Sequence, residues 1–177
     1  MRTLSGKLME LITVGETNLD WKEEDMQGLF GEIGTSLKVV TDKKGIELSC
    51  ESEPGSLWAD RELIKSLLYN LVDNAIKASG AGSKIRVTGR FADGQFLVEV
   101  SDEGVGIPGE EIEKITQAFY MVDKARSRAN GGAGLGLALC KEIVSLHQGT
   151  MEFESRQGEG TRVLISMKGG CKDAEDV

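Results

Sequence analysis

The sequence predicts an α+β fold, a layered α/β sandwich built on a mixed and mostly antiparallel sheet. Three observations predict it. Residues 60 to 79 carry the clearest amphipathic helical period in the chain, residues 84 to 102 read as a β-hairpin, and the remaining helices and strands follow in mixed order, not in strict βαβ alternation. The chain shows no internal repeat at a period of about 20 to 50 residues that would point to a solenoid or propeller.

Leu4, Leu8, Leu11 and Ile12 recur at helical spacing before Gly15, a run too short to be stable alone, and read as the end of a longer helix. A second helix puts Leu29, Phe30, Ile33, Leu37 and Val40 on one face and stops near Gly45. Ile46, Leu48 and Cys50 then alternate with Glu47, Ser49 and Glu51 as in a strand, and residues 54 to 59 form a short connection containing Trp58. In the helix at 60 to 79, Asp60 stands at the N-cap, and Leu63, Ile64, Leu67, Leu68, Leu71, Val72, Ala75 and Ile76 form the apolar face. Ile85, Val87 and Phe91, then Phe96, Val98 and Val100, alternate with polar residues about a turn at Asp93 and Gly94.

A further helix is expected from Pro108, in its first turn, to Ile115. Residues 120 to 134 are polar, basic and Gly-rich, a mobile loop of a length usually kept for function. Leu135, Leu139, Ile143 and Leu146 restore a helix. Met151 and Phe153, then Val163, Ile165 and Met167, give two last strands around Gly158 and Gly160, and the tail from Gly169 is expected to be disordered. The chain therefore divides into a helix end and linker over 1–20, one domain over 21–168 and an acidic tail over 169–177.

The 177 residues are 40% apolar and 28% charged, enough for a real core. With 21 basic against 29 acidic residues, the net charge of -8 has the wrong sign for gathering nucleic acid by bulk charge. Cys50, Cys140 and Cys171 are odd in number and widely spaced, and His147 is the single histidine, so neither a disulfide framework nor a Cys/His zinc site is expected. That pattern suits a reducing, cytoplasmic setting. No window approaches the roughly twenty apolar residues of a membrane span.

Three segments carry candidate chemistry. Asn70, Asn74 and Lys77 lie at i, i+4 and i+7 on one helical stripe. Asn is a poor interior helix former, and carboxamide oxygens suit a hard cation such as Mg²⁺ that keeps water and phosphate ligands; a solvated helix edge is the other reading. Asp102-Glu103-Gly104-Val105-Gly106-Ile107-Pro108 follows a strand directly. Its carboxylate can accept from an exocyclic amine while the glycines let the backbone approach a flat ligand, or it is an ordinary strand-to-helix turn. Gly131-Gly132-Ala133-Gly134-Leu135-Gly136-Leu137 precedes a helix, so its N–H groups can meet an anion at the positive end of the dipole. No strand leads into it and its glycine spacing is not the dinucleotide-binding one, and no P-loop is present.

The order and spacing of Asn70 to Lys77, Asp102 to Gly106, Phe119-Tyr120, Gly132 to Gly136 and Ser155 to Thr161 resemble the N, G1, F and G2 boxes and following turn of sensor histidine kinases, over roughly residues 29 to 168. The resemblance implies the Bergerat-type ATP-binding sandwich, with helices on one face of the sheet and a lid over the nucleotide. It makes ATP and Mg²⁺ the cofactors and Asn74 the Mg²⁺ ligand. Asn70 and Lys77 would lie on metal or phosphate, and Asp102 on the adenine amine. Gly104, Gly106, Ile107 and Tyr120 would belong to the nucleotide pocket. Gly132, Ala133, Gly134, Leu135, Gly136 and Leu137 would present the phosphate loop, beneath a lid carrying Lys124, Arg126 and Arg128, whose cations otherwise read as a solvated loop.

The same resemblance implies two partners: a helical hairpin that carries the phosphoacceptor histidine, and a response regulator downstream. His147, at the end of the helix after the Gly-rich loop, sits where such kinases carry a non-acceptor histidine. The hairpin drives dimerisation in this family, so this chain is expected to be a monomer. Three positions depart from the family pattern: Ala78 replaces a common aromatic, Met121 a common arginine and Gln148 a glycine. The related gyrase, Hsp90 and MutL ATPases usually place a glutamate base where this chain has Asn70, and an amide cannot take a proton. The alternatives to a histidine kinase are thus an ATP hydrolase of the same superfamily or a non-catalytic nucleotide-binding scaffold.

Overall fold

In the computed structural model residues 19–122 and 134–168 are described. The expected helix around Leu4 to Ile12, most of the polar loop at 120 to 134 and the tail from Gly169 lie outside them. Along the described chain run β1 (Trp21–Asp25), α1 (Met26–Lys43), β2 (Glu47–Ser52), β3 (Ser56–Asp60), α2 (Arg61–Ala78), β4 (Lys84–Ala92), β5 (Gln95–Asp102), a 3₁₀ turn (Gly109–Glu111), α3 (Gly136–Leu146), β6 (Thr150–Arg156) and β7 (Gly160–Met167).

The main sheet has the order β2-β4-β5-β7-β6, with β2 parallel to β4 and every other pair antiparallel. Its register puts Ile85, Val87, Val98, Val100, Val163 and Ile165 on one face, and these residues share a single core with α1, α2 and α3. The opposite face is polar: Arg162 pairs there with Glu99 at 2.7 Å and Glu154 at 3.2 Å. One apolar and one polar face is the period-2 alternation of the strands made visible. β1 and β3 form a separate antiparallel ribbon, Trp21 opposite Asp60.

Helix ends follow their caps. Asp25 accepts from the N–H groups of Gln27 and Gly28 at the start of α1, and Asp60 from those of Glu62 and Leu63 at the start of α2. α1 ends in a Schellman motif at Gly45: Ile46 N–H donates to Thr41 O and Gly45 N–H to Asp42 O. α3 ends the same way, Gly149 N–H on Val144 O and Gln148 N–H on Ser145 O. Among the described residues, no helix is long and apolar enough to cross a membrane.

Three expectations are corrected. Val40 is not on the buried face of α1, being 45% exposed, because the stripe Leu29, Ile33, Leu37 continues at i+4 to Thr41. Thr41 is buried there with its hydroxyl donating back toward Lys38 O at 3.1 Å. Residues 56–60 are a strand, not a connection, with Leu57 and Ala59 turned inward. The segment from Pro108 to Ile115 is a 3₁₀ turn followed by further turns, not an α-helix. Ile115 alone is buried among residues 108–115, too little apolar surface to hold a longer helix.

Candidate nucleotide site

The first wall is the stripe on α2. Asn70 is buried; its amide donates to Ser66 O at 2.8 Å, and its carbonyl oxygen is turned to the start of α3. A Cβ at Gly136 would stand 3.2 Å from Asn70 Oδ1, so the glycine allows α3 to begin against this carboxamide. Asn74 follows one turn later, half-buried. Lys77 donates to Asp73 Oδ2 at 2.7 Å, an i,i+4 pair that aims its ammonium along the same edge.

The second wall is the turn after β5. Asp102 ends the strand on the apolar face, opposite Ile85 on one side and Thr161 on the other. Its Oδ1 accepts Gly104 N–H at 2.8 Å. Burial pushes the Asp102 carboxyl above the usual aspartate range, against the pull of the Gly104 and Thr161 backbone. Gly104 lies against the end of α2, where a Cβ would come within 2.7 Å of Ala78 O, and Val105 N–H donates to that same carbonyl at 3.2 Å. Gly106 has φ +66, and a Cβ there would stand 2.0 Å from Arg156 O. No other residue fits both the left-handed backbone and that approach. Ile107 N–H donates to Ser155 Oγ at 2.8 Å.

The third wall is the start of α3. Among the described residues no side chain caps it, and its first turn holds no acidic residue, so its N–H groups and dipole face outward for an anion. Leu135 is fully buried and can offer only backbone to a ligand, while Leu137 is half-buried against the core. Phe119 N–H donates to Gly134 O at 2.8 Å, joining the two ends of the segment between them. The Tyr120 hydroxyl donates to Glu111, which places it with that junction. Lys124, Arg126, Arg128, Gly132 and Ala133 lie outside the described residues.

The structure thus brings Asn70 to Gly136, and Asp102 with Gly104 to the end of the same helix that carries Asn74 and Lys77. The sequence resemblance takes in residues 155–161 but gives them no role at the site; the structure sets two of them beside Asp102 and its turn: Gly160, where a Cβ would stand 2.0 Å from Asp102 O, and Ser155, which accepts Ile107 N–H. The signal was the run Gly158-Glu159-Gly160-Thr161, whose two glycines both take positive φ. His147 is fully buried. Its Nδ1–H donates to Ile143 O at 2.8 Å and its ring meets Trp21 edge-on at 4.8 Å.

Comparison with known proteins places the chain in a family. Residues 59–169 match the family of histidine kinase-, DNA gyrase B- and HSP90-like ATPases. The sensor-like histidine kinase SenX3 of Mycolicibacterium smegmatis is 33% identical over 92% of this chain and 43% of its own length. The sensor histidine kinase YkoH of Bacillus subtilis is 40% identical over 93% of this chain and 36% of its own. The chain therefore spans less than half the length of these relatives. The catalytic domain of the histidine kinase ThkA superposes with a TM-score of 0.73 at 30% identity, over 84% of this chain and 95% of that one. ThkA in complex with the response regulator TrrA gives 0.75 at 28% identity, over 93% of this chain and 46% of that one. The chain belongs to the histidine kinase-, gyrase- and HSP90-like ATPase family, as an ATP-binding catalytic domain of the sensor histidine kinase kind.

Proposed function

We propose that this domain binds Mg-ATP between α2, the turn after Asp102 and the start of α3, and transfers the γ-phosphoryl group to a histidine on a separate helical hairpin of its parent kinase. The observation that carries the reading is the meeting of Asn70 with Gly136: a carboxamide and the N-terminus of a helix converge on one place, suited to metal-bound phosphate. Asp102 stands at the other end of α2 as the acceptor for an adenine amine.

The residues fit Mg²⁺, since Asn70 and Asn74 supply neutral oxygens on adjacent turns of one helix edge, with Asn74 as the ligand. The ion supplies neutralisation of phosphate charge when bound. The chain's own part is positioning. Lys77 and the α3 N–H groups hold the phosphates, with Lys124 and Arg126 as further cations, while Asp102 and the Gly104–Ile107 turn fix the base. The acceptor imidazole nitrogen forms a bond to the γ-phosphorus as the bond to the β–γ bridging oxygen breaks, and ADP leaves. His147 is not that acceptor, because its ring is enclosed in the core.

Asn70 weighs against water activation: its amide is spent on Ser66 O, and it has no basic site to take a proton. The phosphoryl group then passes to a response regulator, a reading supported by the solved complex of ThkA with the response regulator TrrA. The test is calorimetry with a non-hydrolysable ATP analogue, with and without Mg²⁺. The unmutated chain should bind more tightly with Mg²⁺, and Asn74→Ala should bind equally with or without it. An Mg²⁺ effect that survives in Asn74→Ala removes Asn74 as the ligand.

A further inference from the structure

We propose that Ser155 is a positioning residue for the adenine pocket, its hydroxyl holding the turn after Asp102 against the β6–β7 hairpin; this rests on the nucleotide site proposed above. The Ser155 hydroxyl has one proton and two lone pairs, and all three are engaged. It donates to Gly160 O at 2.8 Å, accepts Ile107 N–H at 2.8 Å, and lies 2.9 Å from the Thr161 hydroxyl, which donates to the remaining lone pair.

Two backbone contacts flank this knot. Gly158 N–H donates to Val105 O at 2.7 Å, and Gly106 rests on the Arg156 carbonyl, where a Cβ would stand 2.0 Å away. Val105, Gly106 and Ile107 are thereby fastened, one after another, to residues 155–158. Ser155 supplies the only side-chain bond of the three, so it is the one that a substitution can remove without altering the backbone path.

The same hydroxyl reaches Asp102 from its other side. Gly160, whose carbonyl accepts the Ser155 hydroxyl, packs on the Asp102 carbonyl, and Thr161 is the cross-strand partner of Asp102. Both the strand that flanks Asp102 and the turn that leaves it are therefore held by one side chain. Without the hydroxyl, Ile107 N–H loses its partner and the carboxylate loses its fixed aim at a purine amine.

The test compares the unmutated chain with Ser155→Ala, Ser155→Thr and Ser166→Ala. ADP and GDP binding and amide hydrogen exchange at Ile107 are measured on each. Ser155→Ala is expected to bind ADP about fivefold more weakly, the size of one lost buried hydrogen bond. Its GDP binding should be unchanged, since guanine carries a carbonyl oxygen where adenine carries the amine, so the preference for ADP narrows by the same factor. Ile107 exchange should accelerate.

Ser155→Thr keeps the hydroxyl and should restore ADP affinity. Ser166→Ala removes the partner of Thr150 at the far end of the same hairpin and should alter neither reading. The proposal is overturned if Ser155→Ala binds ADP like the unmutated chain with Ile107 still protected, or if ADP and GDP weaken equally. Should the unmutated chain bind no nucleotide, the functional reading fails by itself, and Ile107 exchange decides the clamp: faster in Ser155→Ala supports it, unchanged overturns it.

Discussion

Gln148 takes φ +52 at the residue that closes the Schellman motif of α3, a place where glycine carries no steric cost. Gln148→Gly should therefore stabilise the fold by about 0.5 kcal/mol, the strain relieved less the added entropy of an unfolded glycine, as read from a urea midpoint. A lower midpoint in the variant would show that the glutamine side chain contributes more than its backbone costs. One residue earlier, burial holds the His147 imidazole below its usual pKa, against the weaker opposing pulls of Ile143 O and Asp60. The folded state then binds fewer protons than the unfolded chain. His147 contributes in full above the unfolded histidine value of about 6.5, and its contribution is lost as pH falls from there through the lower folded value. Thermal midpoints between pH 7.5 and 5.5 should fall more steeply for the unmutated chain than for His147→Gln; parallel curves would contradict the buried, neutral ring.

At the scale of elements, Asp60 joins three parts of the structure. One carboxylate oxygen caps α2 through Glu62 and Leu63, and the other accepts Asp20 N–H at 3.0 Å, just ahead of β1. Asp60→Ala should cost about 1–2 kcal/mol in chemical denaturation, at the upper end for a lost N-cap because the second oxygen is also engaged. A cost below half of that would mean that water replaces the carboxylate at both places. Asp60 and α2 were legible in the sequence because a long apolar stripe and a capping residue agree on the same start. The β4–β5 hairpin was legible for the same kind of reason, two alternating runs about Asp93-Gly94, both at positive φ in the structure.

β1 was not legible. Its run Trp-Lys-Glu-Glu-Asp has no alternation, and it is a strand only because β3 pairs with it. β3 did carry a signal in Leu57 and Ala59, but five residues beside Pro54 and Gly55 read equally well as a turn. The site divides in the same way. Side chains that match a local spacing, Asn70, Asn74, Lys77 and Asp102, could be read directly, as could the turn glycines. The contacts among Ser155, Ile107 and Gly160 join residues 48 and 5 positions apart, and only folding reveals them.

For the molecule as a whole, the distribution of charge works against association of one copy with another. Both edge strands of the main sheet bear acidic side chains on the polar face, Glu47 and Glu51 on β2, Glu152 and Glu154 on β6, which discourages edge-to-edge pairing. The net charge of -8 adds a general repulsion between copies. Sedimentation should give one species near 19.1 kDa at all concentrations, and a mass that doubles with concentration would contradict it.

Titration of the unmutated chain and of Asp102→Asn with ADP at several pH values shows whether Asp102 reads adenine in a pocket between α2 and the β6–β7 hairpin. The unmutated chain should bind ADP, with an affinity that falls as pH drops through the raised Asp102 pKa, because the protonated carboxyl no longer accepts the amine as an anion. Asp102→Asn should bind at least about tenfold more weakly at neutral pH, the value of a lost charge-assisted hydrogen bond, with no pH dependence of that origin. Equal ADP affinity in the two proteins, or no binding by either, would contradict it.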